Sequence, residues 1–292
     1  MPSVGFDGPA KPQMIDPPGD LSPADTATKL LSWCRVKQGL RSDVLFVRGL
    51  MAGAFIGLGA IFYTATMIGV PLGNGAFRIL GSGAFSMGLL LVCMTAAELS
   101  TGNCLIFAGW AEREVSLRSV ARLLAASFVA NAIASVALAI LMQGTGLLQG
   151  EHGRVAASIA EAKMLLPFGQ VFVRGILCNA LVCLAVWMIL AARTLGGKFM
   201  GLLLPITAFV AIGFEHSVAN VYFLTAGFYA SANGTFTAGA ANIIAATLGN
   251  LIGGAGVAFA LWWAHIRREH QSLPVIIPMK LPQYVRAGQR KL

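Results

Sequence analysis

Residues 202–232 form an apolar run as long as a membrane span, and a polar hexapeptide, Glu215-His216-Ser217-Val218-Ala219-Asn220, sits near its middle. Ionisable groups at membrane depth cost about 2.5–3.5 kcal/mol each on insertion scales, so they face a protein interior or an aqueous path. The stretch has a partner. Glu98-Leu99-Ser100-Thr101-Gly102-Asn103 repeats the pattern Glu-x-Ser-x-(Ala/Gly)-Asn earlier in the chain. Two matching polar breaks in two apolar segments point to a solute pathway where two repeats meet.

Composition fixes the class in which those breaks act. The chain has 292 residues, 57% of them hydrophobic and only 11% charged, against about 25% charged in soluble domains. Mean hydropathy is +0.74. Apolar runs near 20 residues, rich in Leu, Ala and Gly, predict an all-α integral membrane protein rather than a barrel. The formal charge of +9 does not mark a nucleic-acid partner, because the basic residues lie in tails and loops as membrane topology requires. The five cysteines (Cys34, Cys93, Cys104, Cys178, Cys183) contain no CxxC pair; they read as small buried thiols, with no metal or cofactor implied.

Six spans are expected: roughly 44–68, 77–97 continuing through its break to 110, 119–142, 167–192, 199–230 with its break, and 242–266. The second and fifth are the interrupted ones. Residues 1–23, which hold six of the twelve prolines, read as a disordered tail. Ser22-Pro23-Ala24-Asp25 opens a helix by capping, and residues 24–43 read as an amphipathic interfacial segment with Lys29, Lys37 and Arg41 on its basic side. Residues 44–266 are the six-span domain, 267–292 a basic tail, and the stretch around 143–166 a connecting loop. Lys and Arg gather in the two tails and in the loops at 111–122 and 193–198, which predicts cytoplasmic termini and a plasma (inner) membrane location.

The repeat runs deeper than the hexapeptides. Val47-Arg48-Gly49 is echoed by Val173-Arg174-Gly175, and Asn131 by Asn250. Three spans per half is odd, so the halves run in opposite directions, a 3+3 inverted repeat with its site near the midplane. Gly49, Gly53 and Gly57 mark a close-packing face on the first span.

Breaking a helix in hydrocarbon leaves backbone groups that need partners. Glu98, Ser100, Asn103, Glu215, Ser217 and Asn220 are read first as braces for the two breaks, with Asn103 and Asn220 also bordering the path. The short helices that follow turn their N-terminal ends inward, which favours an anion. His216 is the histidine expected inside a span, and imidazole titrates near physiological pH; its expected role is to attract a small anion and exchange a proton with it. Lys163, before the fourth span, becomes an outer attractor, and Phe85, Leu89, Leu99 and Phe209 narrow the path. A bare anion crosses an apolar neck at a cost of several kcal/mol, whereas a weak acid crosses more cheaply once protonated.

The chain resembles the formate/nitrite transporter family over nearly all of residues 24–266. The resemblance rests on Ala97 to Asn103, Gly175-Ile176-Leu177-Cys178-Asn179-Ala180-Leu181-Val182-Cys183-Leu184-Ala185, Gly213 to Asn220, and Thr247-Leu248-Gly249-Asn250-Leu251-Ile252-Gly253-Gly254. It implies an aquaporin-like fold, a homopentamer with one pore per protomer, His216 as the central histidine, Lys163 as the vestibule lysine, and Thr101 as a loop residue bonded to the histidine region. Ser100 departs from the family, standing in the loop at the cytoplasmic neck where many members carry an aromatic residue. The expected function is a channel, not an enzyme, for small monovalent anions and protons, formate ahead of nitrite or hydrosulfide. A neutral-solute pore is the alternative of another class. It is disfavoured because the chain has no Asn-Pro-Ala. A Glu215-His216-Ser217 hydrolase is disfavoured because adjacent helical residues point in different directions.

Overall fold

The computed structural model describes residues 19–70 and 74–267. Most of the tail expected over 1–23 and nearly all of the basic tail expected over 267–292 lie outside those residues.

The described chain is all-helical. Helix α1 (Pro23–Gln38) starts where the sequence places it: Ser22 Oγ accepts from the Asp25 amide, and Pro23 occupies the first turn. Helices α2 (Ser42–Thr66) and α3 (Gly75–Met94) follow. A non-helical segment, 95–101, then gives way to a 3-10 turn at Gly102–Leu105 and to the six-residue α4 (Ile106–Ala111). Next come α5 (Leu117–Gly144), α6 (Glu151–Met164), α7 (Phe168–Ala191), α8 (Leu195–Ile212), α9 (Ser217–Tyr229) and α10 (Phe236–Leu261), which runs on through a π turn to Ile266. Six helices are long and apolar enough to cross a membrane: α2, α3, α5, α7, α8 and α10 with its extension.

Two segments differ from the sequence reading. The stretch around 143–166 contains α6, which a hydropathy scan passes over because its residues are mixed. Its His152, Ala156 and Ala160 recur at four-residue spacing and are buried, forming one stripe of a helix packed on α9. Helix α1 lays its apolar side on protein: Ala27, Leu30 and Cys34 are buried with Leu105, Ile106 and Ala108 of the break-α4 region. Burial pushes the Cys34 thiol up to about 12.

Two helix pairs approach closely enough to exclude side chains. On α2, a Cβ at Gly53 would lie 2.2 Å from the Asn131 carbonyl oxygen of α5. On α10, a Cβ at Gly253 would lie 2.0 Å from the Ile176 carbonyl oxygen of α7. Both contacts are backbone against backbone, the geometry small residues permit between membrane helices.

Candidate functional site

The non-helical segments 95–101 and 213–216 are held by the same set of bonds. Asn131, buried on α5, donates from Nδ2 to the Gly49 and Glu98 carbonyls (2.8 and 3.0 Å), and its Oδ1 accepts from the Ser100 amide at 2.9 Å. Asn250, buried on α10, donates to the Gly175 and Glu215 carbonyls (2.8 and 2.9 Å) and accepts from the Ser217 amide at 2.9 Å. The Glu98 amide donates to Arg48 O and the Glu215 amide to Arg174 O. Each segment also contains a left-handed residue, Ala96 (φ 53°) and Gly213 (φ 87°). An asparagine suits this task because one amide offers two donors and an acceptor in a fixed plane.

A lysine sits against each segment, Lys37 buried and Lys163 half-buried. Lys163, from α6, donates to both carboxylate oxygens of Glu215 at 3.1 and 3.0 Å, with side chains 14% and 3% exposed. Asn220 Nδ2 donates to Glu215 Oε2 at 2.6 Å and to Asn242 Oδ1 at 2.8 Å, and Asn242 returns to the Lys163 carbonyl at 3.0 Å. On the other side Lys37, from α1, pairs with Glu98 and donates to Asn103 Oδ1 at 2.7 Å. Asn103 Nδ2 reaches Ser127 Oγ at 3.4 Å. Burial pushes the Lys37 ammonium below the usual lysine range, and Glu98 opposes that shift. Sequence reasoning placed Lys37 on a basic helix face. Its distance from Lys163 equals that from Arg48 to Arg174, and that shared offset was the signal.

His216 joins the two segments. Its Nδ1 accepts from the Ala219 amide at 3.1 Å, capping α9, and its Nε2 lies 2.9 Å from Thr101 Oγ1. An acceptor Nδ1 leaves the single proton of a neutral ring on Nε2, so the network assigns Nε2–H as the donor to Thr101. A second proton could enter only at Nδ1, where it would face the Ala219 N–H. The expected proton exchange at this ring therefore requires the α9 cap to break.

The apolar candidates divide between two cavities. The first, about 300 Å³, is lined by Lys163, Glu215, Asn220 and His216 together with Phe85 and Phe209. The Phe85 and Phe209 rings meet edge to face with centroids 6.0 Å apart, and Phe209 stacks on His216 at 5.9 Å. The second, about 310 Å³, is lined by Lys37, Glu98, Asn103, Leu89 and Leu99. All four apolar side chains are 2–3% exposed.

Two serines lie elsewhere. Ser100 and Ser217 line a separate lateral cavity of about 190 Å³ with Thr101 and with Phe128 of α5 and Thr247 and Leu251 of α10. Their backbone amides, rather than their hydroxyls, make the bonds to Asn131 and Asn250, and Ser100 Oγ has no hydrogen-bond partner. Ser100 thus borders a space separate from both lysine cavities. Among the described residues, no group of three His, Cys, Asp or Glu side chains is arranged to hold a metal.

Comparison with known proteins bears on this site as a whole. A family model described as formate/nitrite transporter matches residues 24–264. A protein of Methanothermobacter thermautotrophicus described as a probable formate transporter is 33% identical over 268 residues, covering 85% of this chain and 98% of its own. A solved structure described as an FNT family ion channel superposes with a TM-score of 0.76 at 28% identity, over 82% of this chain and 98% of that one. A pentameric formate channel with formate bound superposes with a TM-score of 0.67 at 30% identity, over 79% and 98%. These relatives are described as channels or transporters rather than enzymes.

Proposed function

The chain belongs to the formate/nitrite transporter family, and on that premise we propose that it is a channel for small monovalent anions of weak acids, formate first, whose passage is linked to a proton and runs past His216. The observation that carries this reading is the pair of cavities, each lined by a lysine–glutamate ion pair and by apolar side chains, Phe85 and Phe209 beside His216 in one and Leu89 and Leu99 in the other. The matched clamps at Asn131 and Asn250 support an inverted repeat of three spans each, aquaporin-like, in which residues 95–101 and 213–216 interrupt the second and fifth spans.

The chemistry follows from the cost of charge. An anion in a dry neck loses several kcal/mol of hydration even after relaxation, while its conjugate acid loses only hydrogen bonds. The anion enters the Lys163 cavity, where the third ammonium proton, unused by Glu215, offers a donor. It takes its proton there from solvent and crosses as the neutral acid. His216 stays neutral through this passage, and its Nε2–H and Thr101 Oγ1 open toward the solute in place of each other. The solute then loses its proton in the Lys37 cavity. In this scheme Asn103 and Asn220 border the path, the Glu98 and Glu215 carboxylates brace the lysines, and the segment backbones of Ser100 and Ser217 are held by the asparagines.

The remaining parts of the reading are the setting. The protein sits in the plasma (inner) membrane with cytoplasmic termini, the Lys37 cavity faces the cytoplasm, and the protomers assemble as a homopentamer, as in the related formate channel. Nitrite and hydrosulfide are the alternative cargoes, since they too are small anions of weak acids. The test is uptake of formate, nitrite, hydrosulfide and lactate into liposomes at several external pH values. Formate uptake should rise as pH falls, by up to about tenfold per unit, following the protonated fraction. Equal conductance of all anions including chloride, independent of pH, would refute proton-linked passage.

A further inference from the structure

The lysine that faces the outer cavity is a poor long-range attractor, because its charge is already matched. Lys163 and Glu215 form a neutral pair. The bowl above that cavity adjoins it through shared residues including Arg78, and there Arg154 is paired with Glu151. Among the described residues that line the two spaces, those pairs take up both acids. Two cations remain without an acidic partner: Arg78 of α3 and Arg174 of α7.

These two guanidinium groups converge on one backbone position. Arg174 Nη1 donates to the Gly213 carbonyl at 3.5 Å. Arg78 Nη2 lies 3.1 Å from where a Cβ on Gly213 would stand. Gly213, with φ at 87°, opens the segment that leads to Glu215 and His216. Any side chain there would meet Arg78, so glycine keeps this meeting point clear as well as permitting the turn.

We infer that Arg78 and Arg174 form the outer receptor for the permeating anion and that they favour planar two-oxygen anions over single-atom ones. This rests on the reading of the chain as an anion channel. An uncompensated positive charge in a recess concentrates anions and raises their capture rate. A guanidinium adds geometry, because its planar fork matches two coplanar oxygens, whereas an ammonium presents a point charge. Carboxylates and nitrite have that shape and hydrosulfide does not. From this receptor the anion moves down to the Lys163 ammonium, so the arginines set which anions arrive and the neck sets how they cross.

The experiment uses the full chain in liposomes, with labelled formate and with hydrosulfide, at low and raised ionic strength. Arg78→Gln should raise the half-saturation concentration for formate by about tenfold at low salt, leave the maximal rate near that of the parent, and flatten the dependence on salt. Arg78→Lys keeps the charge and loses the fork. It should preserve hydrosulfide uptake while lowering the preference for formate by about three- to tenfold. Arg174→Lys should act in the same direction. Should Arg78→Gln fail to fold, Arg78→Lys decides. Parental half-saturation, salt dependence and preference in these variants would overturn the assignment. Failure of the parent protein to carry formate or nitrite would instead refute the proposed function. The arginine assignment would then be judged by the same half-saturation comparison on whichever anion is carried.

Discussion

Replacing Lys163 by Met separates what the lysine does itself from what it does to Glu215. The ammonium makes two bonds to that carboxylate at about 3 Å. At an effective dielectric of about 20, two unit charges at that distance attract by roughly 5–6 kcal/mol before desolvation is subtracted. Removing one partner of such a buried pair costs about 3–5 kcal/mol, because the other charge is stranded. Glu215, 3% exposed and left with Asn220 as its donor, must then either take up a proton or stand as an unmatched anion beside the neck. In the second case it repels the cargo, and formate uptake at neutral pH should fall by about 10–100-fold. The companion variant Lys163→Met/Glu215→Gln removes both charges, so uptake should return to within about threefold of the parent, the shortfall measuring the lost ammonium donor. Labelled-formate uptake into liposomes reads the rates, and thermal melting in detergent reads the stranding cost. A double variant that melts normally yet stays as inactive as Lys163→Met would show that the ammonium itself is indispensable, and the neutral-pair reasoning would fall.

Lys37→Met should destabilise the fold by about 3–5 kcal/mol, since Glu98 is equally buried, whereas Lys29→Ala, which loses one bond to the Leu190 carbonyl from an exposed helix face, should cost about 1 kcal/mol; melting curves compare them, and equal shifts would contradict the burial argument. Asn131→Ala and Asn250→Ala each orphan three backbone groups and should each lower stability by about 2–4 kcal/mol, with a large difference between them arguing against equivalent clamps. Cys34, its thiol pushed up to about 12 by burial, should resist maleimide at neutral pH in the folded protein and react on unfolding. Rapid labelling of the native chain would show that α1 leaves its seat.

The spans were legible because hydropathy is a local signal: the six long apolar helices fall within a few residues of the runs that announce them. The two non-helical segments were legible for a related reason, since a glutamate and an asparagine are costly inside an apolar run. Their side chains, however, meet Lys37, Lys163 and Asn242 rather than the backbone groups they were expected to brace. What stayed hidden was convergence. Nothing within reach of Asn131 in sequence names Gly49, Glu98 and Ser100 as its partners. Lys37 looked like a solvated charge because its helix reads as amphipathic, and its pairing with Glu98 is a contact across 61 positions. Arg78 and Arg174 come from different helices and approach the same glycine, Gly213, which nothing in the sequence marks as their meeting point. Ser100 shows the opposite failure, since it was expected at the neck and lines a cavity outside those of the two lysines.

The positions of the two lysines along the chain bear on how the protein is made. Lys37 precedes Glu98 and Lys163 precedes Glu215, and each lysine comes from a helix outside the long apolar six. As the ribosome releases the chain, each acid therefore emerges after the base that matches it, and neither must wait for the other half. Asn131 and Asn250 likewise clamp segments that have already been synthesised. Charges that would be costly alone in the bilayer can enter as matched pairs during insertion. The bonds from Asn179 to the Thr101 carbonyl and from Thr101 to His216 become possible next, and the Asn250 clamp, whose asparagine emerges after both, closes last.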